Sequence, residues 1–317
     1  MLTLENIKNA HRKIESHIRK TELVKSKLFP DLDLYLKLEC SQLTNSFKLR
    51  GALSKMSTLT EEEKQLGVMT VSSGNHGAAV SYAAQLLGIK VVTIIVPQCT
   101  PQSKINNIKK YGGQVLILGE TYDDAHILGE AYREKNNLTY IDAYYEDEFI
   151  YAGQGTIGLE IMEQLSDVDI IIVPVGGGGL ISGIGTAAKG INPDVKIIGL
   201  QTSACPAMIK AIEDNKFYDE YPTLPTVCDA LVGGIGKRAF EMKDLIIDEM
   251  IEVDENSIME ATKNVVLIEG ITAEPSSSLF AAAIMANLDK FKNKKCVAVI
   301  SGGNIDNNIL KDIQEGN

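Results

Sequence analysis

Hydrophobic positions along the chain alternate between short continuous apolar runs and longer stretches in which they recur every three or four residues. The runs at 68–71, 91–96, 115–118, 139–142, 169–175, 195–201 and 296–300 predict strands, with a shorter one at 34–39 and further strand material at 245–253. Runs of this length without polar alternation fit strands buried on both faces. Helical spacing covers 4–20, 46–56, 78–87, 101–111, 123–135, 154–164, 180–189, 206–214, 255–269 and 273–288, and a short helix begins at Glu61. The 46–56 helix is predicted to open on a Ser or Asn cap. The alternation predicts an α/β fold with mostly parallel sheets. Ligands in such folds collect at the carboxyl ends of strands. Three strand ends run into polar or glycine-rich loops, at 72–77, 176–179 and 301–304.

The middle loop carries the strongest signal. The apolar run to Val175 is followed by Gly176, Gly177, Gly178 and Gly179, then by small-residue helical sequence from Leu180 to Lys189. A bare backbone leading into a helix N-terminus presents amides and positive potential to an anion. A tight turn would need fewer glycines, so the loop reads as a phosphate cradle. It is not a dinucleotide fingerprint. A G-x-G-x-x-G motif starting at Gly176 would need glycine where Ile181 stands, and the 195–201 strand ends in Gln201 rather than an acid for a ribose.

Composition narrows the classes. With 317 residues and 44% hydrophobic content the chain can bury a core as one large or two modest domains. A net charge of −11, from 31 basic and 42 acidic residues, argues against nucleic acid or an anionic membrane as partner. An anionic ligand then needs local donors, which the glycine loop supplies. Cysteines 40, 99, 205, 228 and 296 form no C-x-x-C and fit reduced thiols. The histidines at 11, 17, 76 and 126 lack zinc-site spacing. No leader-like segment or membrane-length apolar run is present, so a cytoplasmic location is expected.

Candidate chemistry sits in the same loops. Lys48, between Phe47 and Leu49, is expected one turn into its helix. It is either a desolvated, nucleophilic amine or an ordinary helix lysine reaching solvent. Ser72, Ser73, Asn75 and His76 precede a helix and form either a carboxylate site or a capping loop. Ser301 ends a strand and faces a ligand or makes a plain turn. A nucleophilic lysine together with a phosphate cup is what pyridoxal 5′-phosphate requires.

Several ordered motifs then resemble the serine/threonine dehydratases of the fold-type II, tryptophan-synthase-β-like pyridoxal-phosphate enzymes, a group that includes serine racemase. They are Leu-Thr-Asn-Ser-Phe-Lys-Leu-Arg-Gly-Ala ending at Ala52, the loop Ser72 to Gly77, Thr-Pro-Gln-Ser-Lys-Ile from Thr100, Ala152 to Gly158, Gly176 to Gly179, and Ser301 to Asn304. The resemblance spans nearly the whole chain. It implies two open, mostly parallel twisted sheets flanked by helices, with the cofactor in the interdomain cleft. Residues 1–60 and 143–317 would form the large domain and 61–142 a small mobile one. The implied activity is β-elimination of L-threonine or L-serine to a 2-oxo acid and ammonia. The alternatives are a serine racemase, a threo-3-hydroxyaspartate dehydratase, or, from another class, a non-catalytic phosphate-ligand module.

By the same resemblance Lys48 is the Schiff-base lysine and the base at the substrate Cα, with Phe47 beside it at the cofactor. Asn75 meets the ring oxygen, Gly176 to Gly179 and the Leu180 amide hold the phosphate, and Ser301 faces the pyridine nitrogen. Ser73 is the opposite-face acid/base of the racemases. Ser72, Ser73, Asn75, His76 and Gly233 would bind the amino-acid substrate. A homodimer is implied.

Three departures qualify the resemblance. The positions that carry a divalent cation in racemase-like members are Gln201, Cys205 and Ala207 here, so no metal is expected. Asp229-Ala230 replaces Asp-Gly and puts the local geometry in doubt. Glu274-Pro275-Ser276-Ser277-Ser278 replaces a more usual Glu-Pro-x-Gly-Ala, and its serines either line the pocket or open the following helix. Because the sequence ends soon after Asn304, feedback through a C-terminal regulatory domain is not expected.

Overall fold

The computed structural model describes residues 1–315. The chain begins with α1 (Leu4–Ile14), β1 (Leu23–Lys25), β2 (Asp33–Lys37), α2 (Lys48–Met56) and α3 (Glu61–Leu66). A run of βα units follows: β3 (Val68–Val71), α4 (Asn75–Leu86), β4 (Val92–Val96), α5 (Gln102–Lys110), β5 (Gln114–Ile117), α6 (Tyr122–Asn136) and β6 (Thr139–Tyr140). Next come α7 (Glu148–Gln164), β7 (Ile170–Pro174), α8 (Gly179–Ile191), β8 (Lys196–Thr202), α9 (Ala207–Glu213), α10 (Lys237–Ile246) and β9 (Glu249–Val253). The chain closes with α11 (Glu255–Asn264), α12 (Pro275–Ala286), α13 (Leu288–Phe291), β10 (Lys295–Val299) and α14 (Asn307–Glu315).

The strands form two sheets, in the orders β1-β2-β10-β7-β8-β9 and β5-β4-β3-β6. Every pairing is parallel except β1 with β2. β7 shows why these strands read as continuous apolar runs. Ile171 and Val173 enter one core with α1, α7, α8 and α10, while Ile170 and Ile172 enter another with α11 and α12. Both faces of the strand are covered, so neither tolerates a polar residue. The four-stranded sheet is covered by α2, α4 and α5 on one face and α6 on the other.

The elements depart from expectation mainly at their ends. α2 opens at Lys48 itself, not a turn earlier, and its N-cap Phe47 makes no side-chain cap bond. The Ser46 hydroxyl reaches only the Lys48 N–H, at 3.4 Å. α7 starts at Glu148 rather than 154, because Asp147 caps it through the Phe149 N–H. α10 covers residues for which no element was expected, and its end overlaps the expected 245–253 strand material. Its buried residues Ala239, Met242, Lys243 and Ile246 follow a helical repeat broken by one charge. α14 was also not foreseen. Residues 255–269 end as a π-helical turn, and 273–288 breaks at Asn287.

Beneath α2 lies a cluster of four buried charges. Arg50 pairs through two nitrogens with Glu39, each at 2.8 Å, and through two with Glu160, at 2.7 and 3.0 Å. Lys37 of β2 meets Glu160 at 2.6 Å and also donates to the Thr21 carbonyl and Gln164. All four residues are buried, and the cluster is neutral. Helices α2, α7 and α8 pack almost backbone to backbone. A Cβ on Gly153 of α7 would lie 2.6 Å from the Gly51 Cα of α2, and one on Gly183 of α8 would lie 2.6 Å from the Gly155 nitrogen of α7.

Removing one member of such a cluster strands its partners without solvent. Arg50→Met is therefore expected to cost about 3–5 kcal/mol, read as a lower urea midpoint with an unchanged m-value. A loss below about 1 kcal/mol, the value of a surface pair, would contradict this account.

Candidate active site

Between the two sheets lies a cavity of about 2350 Å³. It is lined by Phe47, Lys48, Ser72, Ser73, Asn75 and His76, by Gly176 to Gly179 with Leu180, and by Gly233 and Ser301. All the residues singled out as cofactor or substrate contacts thus share one space. They come from loops far apart in the chain because parallel strands end on the same side. The serines 276–278 are instead buried in the first turn of α12, behind Pro275, and do not line the cavity.

The glycine loop turns the end of β7 into α8. Gly178 has φ +89°, a left-handed conformation that penalises any side chain, and it is the helix N-cap without a side-chain cap bond. The first-turn amides are therefore left for another acceptor. A Cβ on Gly177 would collide with the ring of Tyr144. A bare cradle at an uncapped helix end fits a phosphate group.

Lys48 projects into the same cavity. Its Nζ donates to the Ala143 carbonyl at 3.3 Å and lies 5.3 Å and 5.8 Å from the ring centroids of Phe47 and Tyr144. Burial pushes its pKa down to about 8, against the attraction of Asp142 and Glu274. The local alternative of an ordinary surface lysine is not what the fold builds.

Asp142 follows β6 and was not foreseen. Its oxygens accept the backbone N–H groups of Tyr144 and Tyr145, at 3.0 and 2.9 Å, and of Glu146 and Asp147, at 2.9 and 3.2 Å. Burial would raise its carboxyl pKa, but these four donors hold it below the usual range. The signal in the sequence was an acid at a strand end. Its partners, all within five residues, arise from a loop conformation that spacing does not reveal.

Asn75 opens α4 and is held on both sides. Its Nδ2 donates to both Glu274 oxygens, at 3.0 and 3.1 Å, and its Oδ1 accepts from Asn304 Nδ2 at 2.7 Å. Burial raises the Glu274 pKa to about 7, despite the Asn75 hydrogen bond. His76 Nε2 donates to the Ile141 carbonyl at 3.0 Å, while its Nδ1 is buried without a partner. Burial, and secondarily the Lys48 charge, lower its pKa to about 4, so the ring is neutral near pH 7.

Ser301 is fixed through its backbone to the lysine-bearing segment, since its carbonyl accepts the Phe47 N–H at 3.0 Å. Gly233, at φ +89°, donates to Thr223 Oγ1 at 3.4 Å. The departures take definite form. Gln201 Oε1 accepts the Met208 and Ile209 N–H groups, at 2.9 and 3.0 Å, at the start of α9. Among the described residues no group of three or more His, Cys, Asp or Glu is placed to hold a metal ion. Ala230 lies in a 3₁₀ turn and is absent from the residues with positive φ, so it needs none of glycine's freedom.

Comparison with known proteins agrees with this geometry. A family model described as pyridoxal-phosphate dependent enzyme matches residues 14–302. An L-threonine ammonia-lyase of Thermotoga maritima is 40% identical, over 99% of this chain and 78% of that protein. The structure of maize serine racemase superposes with a TM-score of 0.91 at 30% identity, covering 99% of this chain and 97% of the other. The processed form of threonine deaminase isoform 2 from Solanum lycopersicum superposes with a TM-score of 0.90 at 34% identity, covering 98% and 87%.

The depressed Lys48 pKa sets a pH dependence. An amine with a folded pKa of about 8 is half uncharged there, well below the ordinary lysine value of 10.5. Acylation of Lys48 in the cofactor-free protein, followed by mass spectrometry, should rise with a midpoint near pH 8. A midpoint near that of surface lysines would contradict the burial.

Proposed function

Because the chain belongs to the pyridoxal-phosphate dependent enzyme family, we propose that it is an ammonia-lyase that eliminates the β-hydroxyl of L-threonine or L-serine, giving a 2-oxo acid and ammonia. The observation that carries this reading is the meeting, in one cavity, of a half-buried amine with a lowered pKa and a bare glycine cradle at a helix N-terminus. The likeness to threonine ammonia-lyase and threonine deaminase supports the choice of substrate.

The residues present fit the cofactor. Gly176 to Gly179 and the Leu180 amide would hold its phosphate, Lys48 its aldehyde carbon, Asn75 its ring oxygen and Ser301 its ring nitrogen. When bound, the cofactor supplies an electron sink that stabilises negative charge at the substrate Cα. The Lys48 amine, uncharged above pH about 8, accepts the Cα proton as general base. Ser72, Ser73 and the start of α4 receive the substrate carboxylate, favoured by the positive helix end. His76 donates to the Ile141 carbonyl and stays neutral. It shapes this wall and carries no charge to it. Glu274 and Asn304 hold the Asn75 amide in one orientation.

The reading takes residues 61–142 as a small domain that moves against 1–60 and 143–317. All of the four-stranded sheet lies within 61–142, which supports the division. It also takes the chain as a homodimer with an amino-acid substrate, on the family resemblance, and keeps the cytoplasmic location expected from the sequence. Among the described residues no helix is long and apolar enough to cross a membrane. The likeness to serine racemase supports a second reading, in which Ser73 exchanges a proton with Cα from the face opposite Lys48.

Incubation of the holoenzyme with L-threonine, L-serine, D-serine and threo-3-hydroxyaspartate, scoring 2-oxo acid and enantiomer, separates these readings. Elimination from L-threonine or L-serine is expected to dominate, and racemisation in excess of it would refute the lyase. Lys48→Ala should lower kcat at least about 100-fold, the usual scale for losing a general base. Asn75→Ala should raise the cofactor Kd about tenfold, the equivalent of one hydrogen bond, measured by fluorescence titration.

A further inference from the structure

Ser277 is buried, does not line the cavity, and has no place in the chemistry above. By the resemblance described above, it stands where the more usual Glu-Pro-x-Gly-Ala pattern has a glycine. Its Oγ lies 3.0 Å from Ser301 Oγ, 2.9 Å from the Gly302 carbonyl oxygen and 2.8 Å from the Gly302 nitrogen. A hydroxyl offers one proton and two lone pairs. One lone pair takes the Gly302 N–H. The proton then has two acceptors within reach, the Gly302 carbonyl and Ser301 Oγ.

The two settings differ in what Ser301 shows the cavity. If Ser277 donates to Gly302, the contact with Ser301 requires Ser301 to donate backward, and the cavity meets lone pairs only. If Ser277 donates to Ser301, the Ser301 proton is free to point into the cavity. The second setting leaves no acceptor stranded, because the Gly302 carbonyl also accepts the Glu274 N–H at 3.0 Å. Ser301 is itself 4% exposed. In so dry a place, successive hydroxyls polarise one another and the outer one becomes a stronger donor.

We infer that Ser277 is a positioning residue that donates to Ser301 from behind and turns the Ser301 proton toward an acceptor in the cavity. Under the functional reading above, on which this inference rests, that acceptor is the unprotonated ring nitrogen of pyridoxal phosphate. Substituting Ser277 therefore changes the electronic state of the cofactor without touching it.

The test is the nitrogen-15 resonance of holoenzyme loaded with pyridoxal phosphate labelled at the ring nitrogen. Ser301→Ala removes the direct donor and should move the resonance toward that of a free pyridine. Ser277→Ala should move it in the same direction by less, and Ser277→Cys, which keeps a weaker donor of similar shape, should fall between Ser277→Ala and the unsubstituted protein. A resonance that shifts in Ser301→Ala but stays in place in both Ser277 variants overturns the inference and leaves the cofactor reading standing. A resonance unmoved by Ser301→Ala, or a label that the protein does not retain, overturns both. If Ser277→Ala does not fold, the sign of the shift in Ser277→Cys decides alone.

Discussion

Four charges sealed from water hold the lysine-bearing helix in place. Arg50 stands two residues beyond Lys48 and grips Glu39 beside β2 and Glu160 on α7. Burying such groups is costly, and apolar residues of the same volume would often be as stable. What the cluster adds is definition. Each partner has one geometry that satisfies the others, so α2 has one position along α7. The cavity depends on that position, since a helix slipped by one residue would carry the Lys48 amine away from the glycine loop.

The cavity shows how a largely apolar frame brings titratable groups toward neutral pH. Burial lowers the Lys48 pKa and raises that of Glu274, to about 8 and about 7. Groups whose charged and neutral forms are close in free energy at working pH suit proton transfer. Asp142 is the counterexample in the same cavity. Four backbone donors keep it ionised, and it serves as a fixed negative charge that also ties down the loop bearing Tyr144.

The parts legible in the sequence were those where one local rule dominated. Strands buried on both faces can only be apolar, and four glycines before a small-residue helix admit few uses. Such signals yielded the α/β alternation and the loops that meet at the cavity. Motif resemblance then joined the loops to a chemistry. The parts not legible depended on partners far away. Asn75 and Glu274 are separated by 199 positions, and nothing near either residue announces the other. α10 was obscured by Lys243, a buried charge on the helix's inner face. The expected cap on α2 is missing because Phe47, whose side chain has no acceptor, occupies the cap position. The serine run was visible as an oddity, but its meaning lay in the 301–303 loop, which no spacing places behind it.

The close approach of α2, α7 and α8 has one more consequence. Lys48 opens α2 and the glycine loop opens α8, and each helix rests on α7 with little side-chain padding between backbones. Side chains between helices act as a compliant layer, and here that layer is thin. The separation between the first residues of the two helices is therefore set by backbone packing, and the four-carbon stem of Lys48 supplies the remaining reach. The helix trio works as a jig: it fixes where the lysine stem starts and where the glycine loop ends, and it leaves to the side chains the choice of what fits between them.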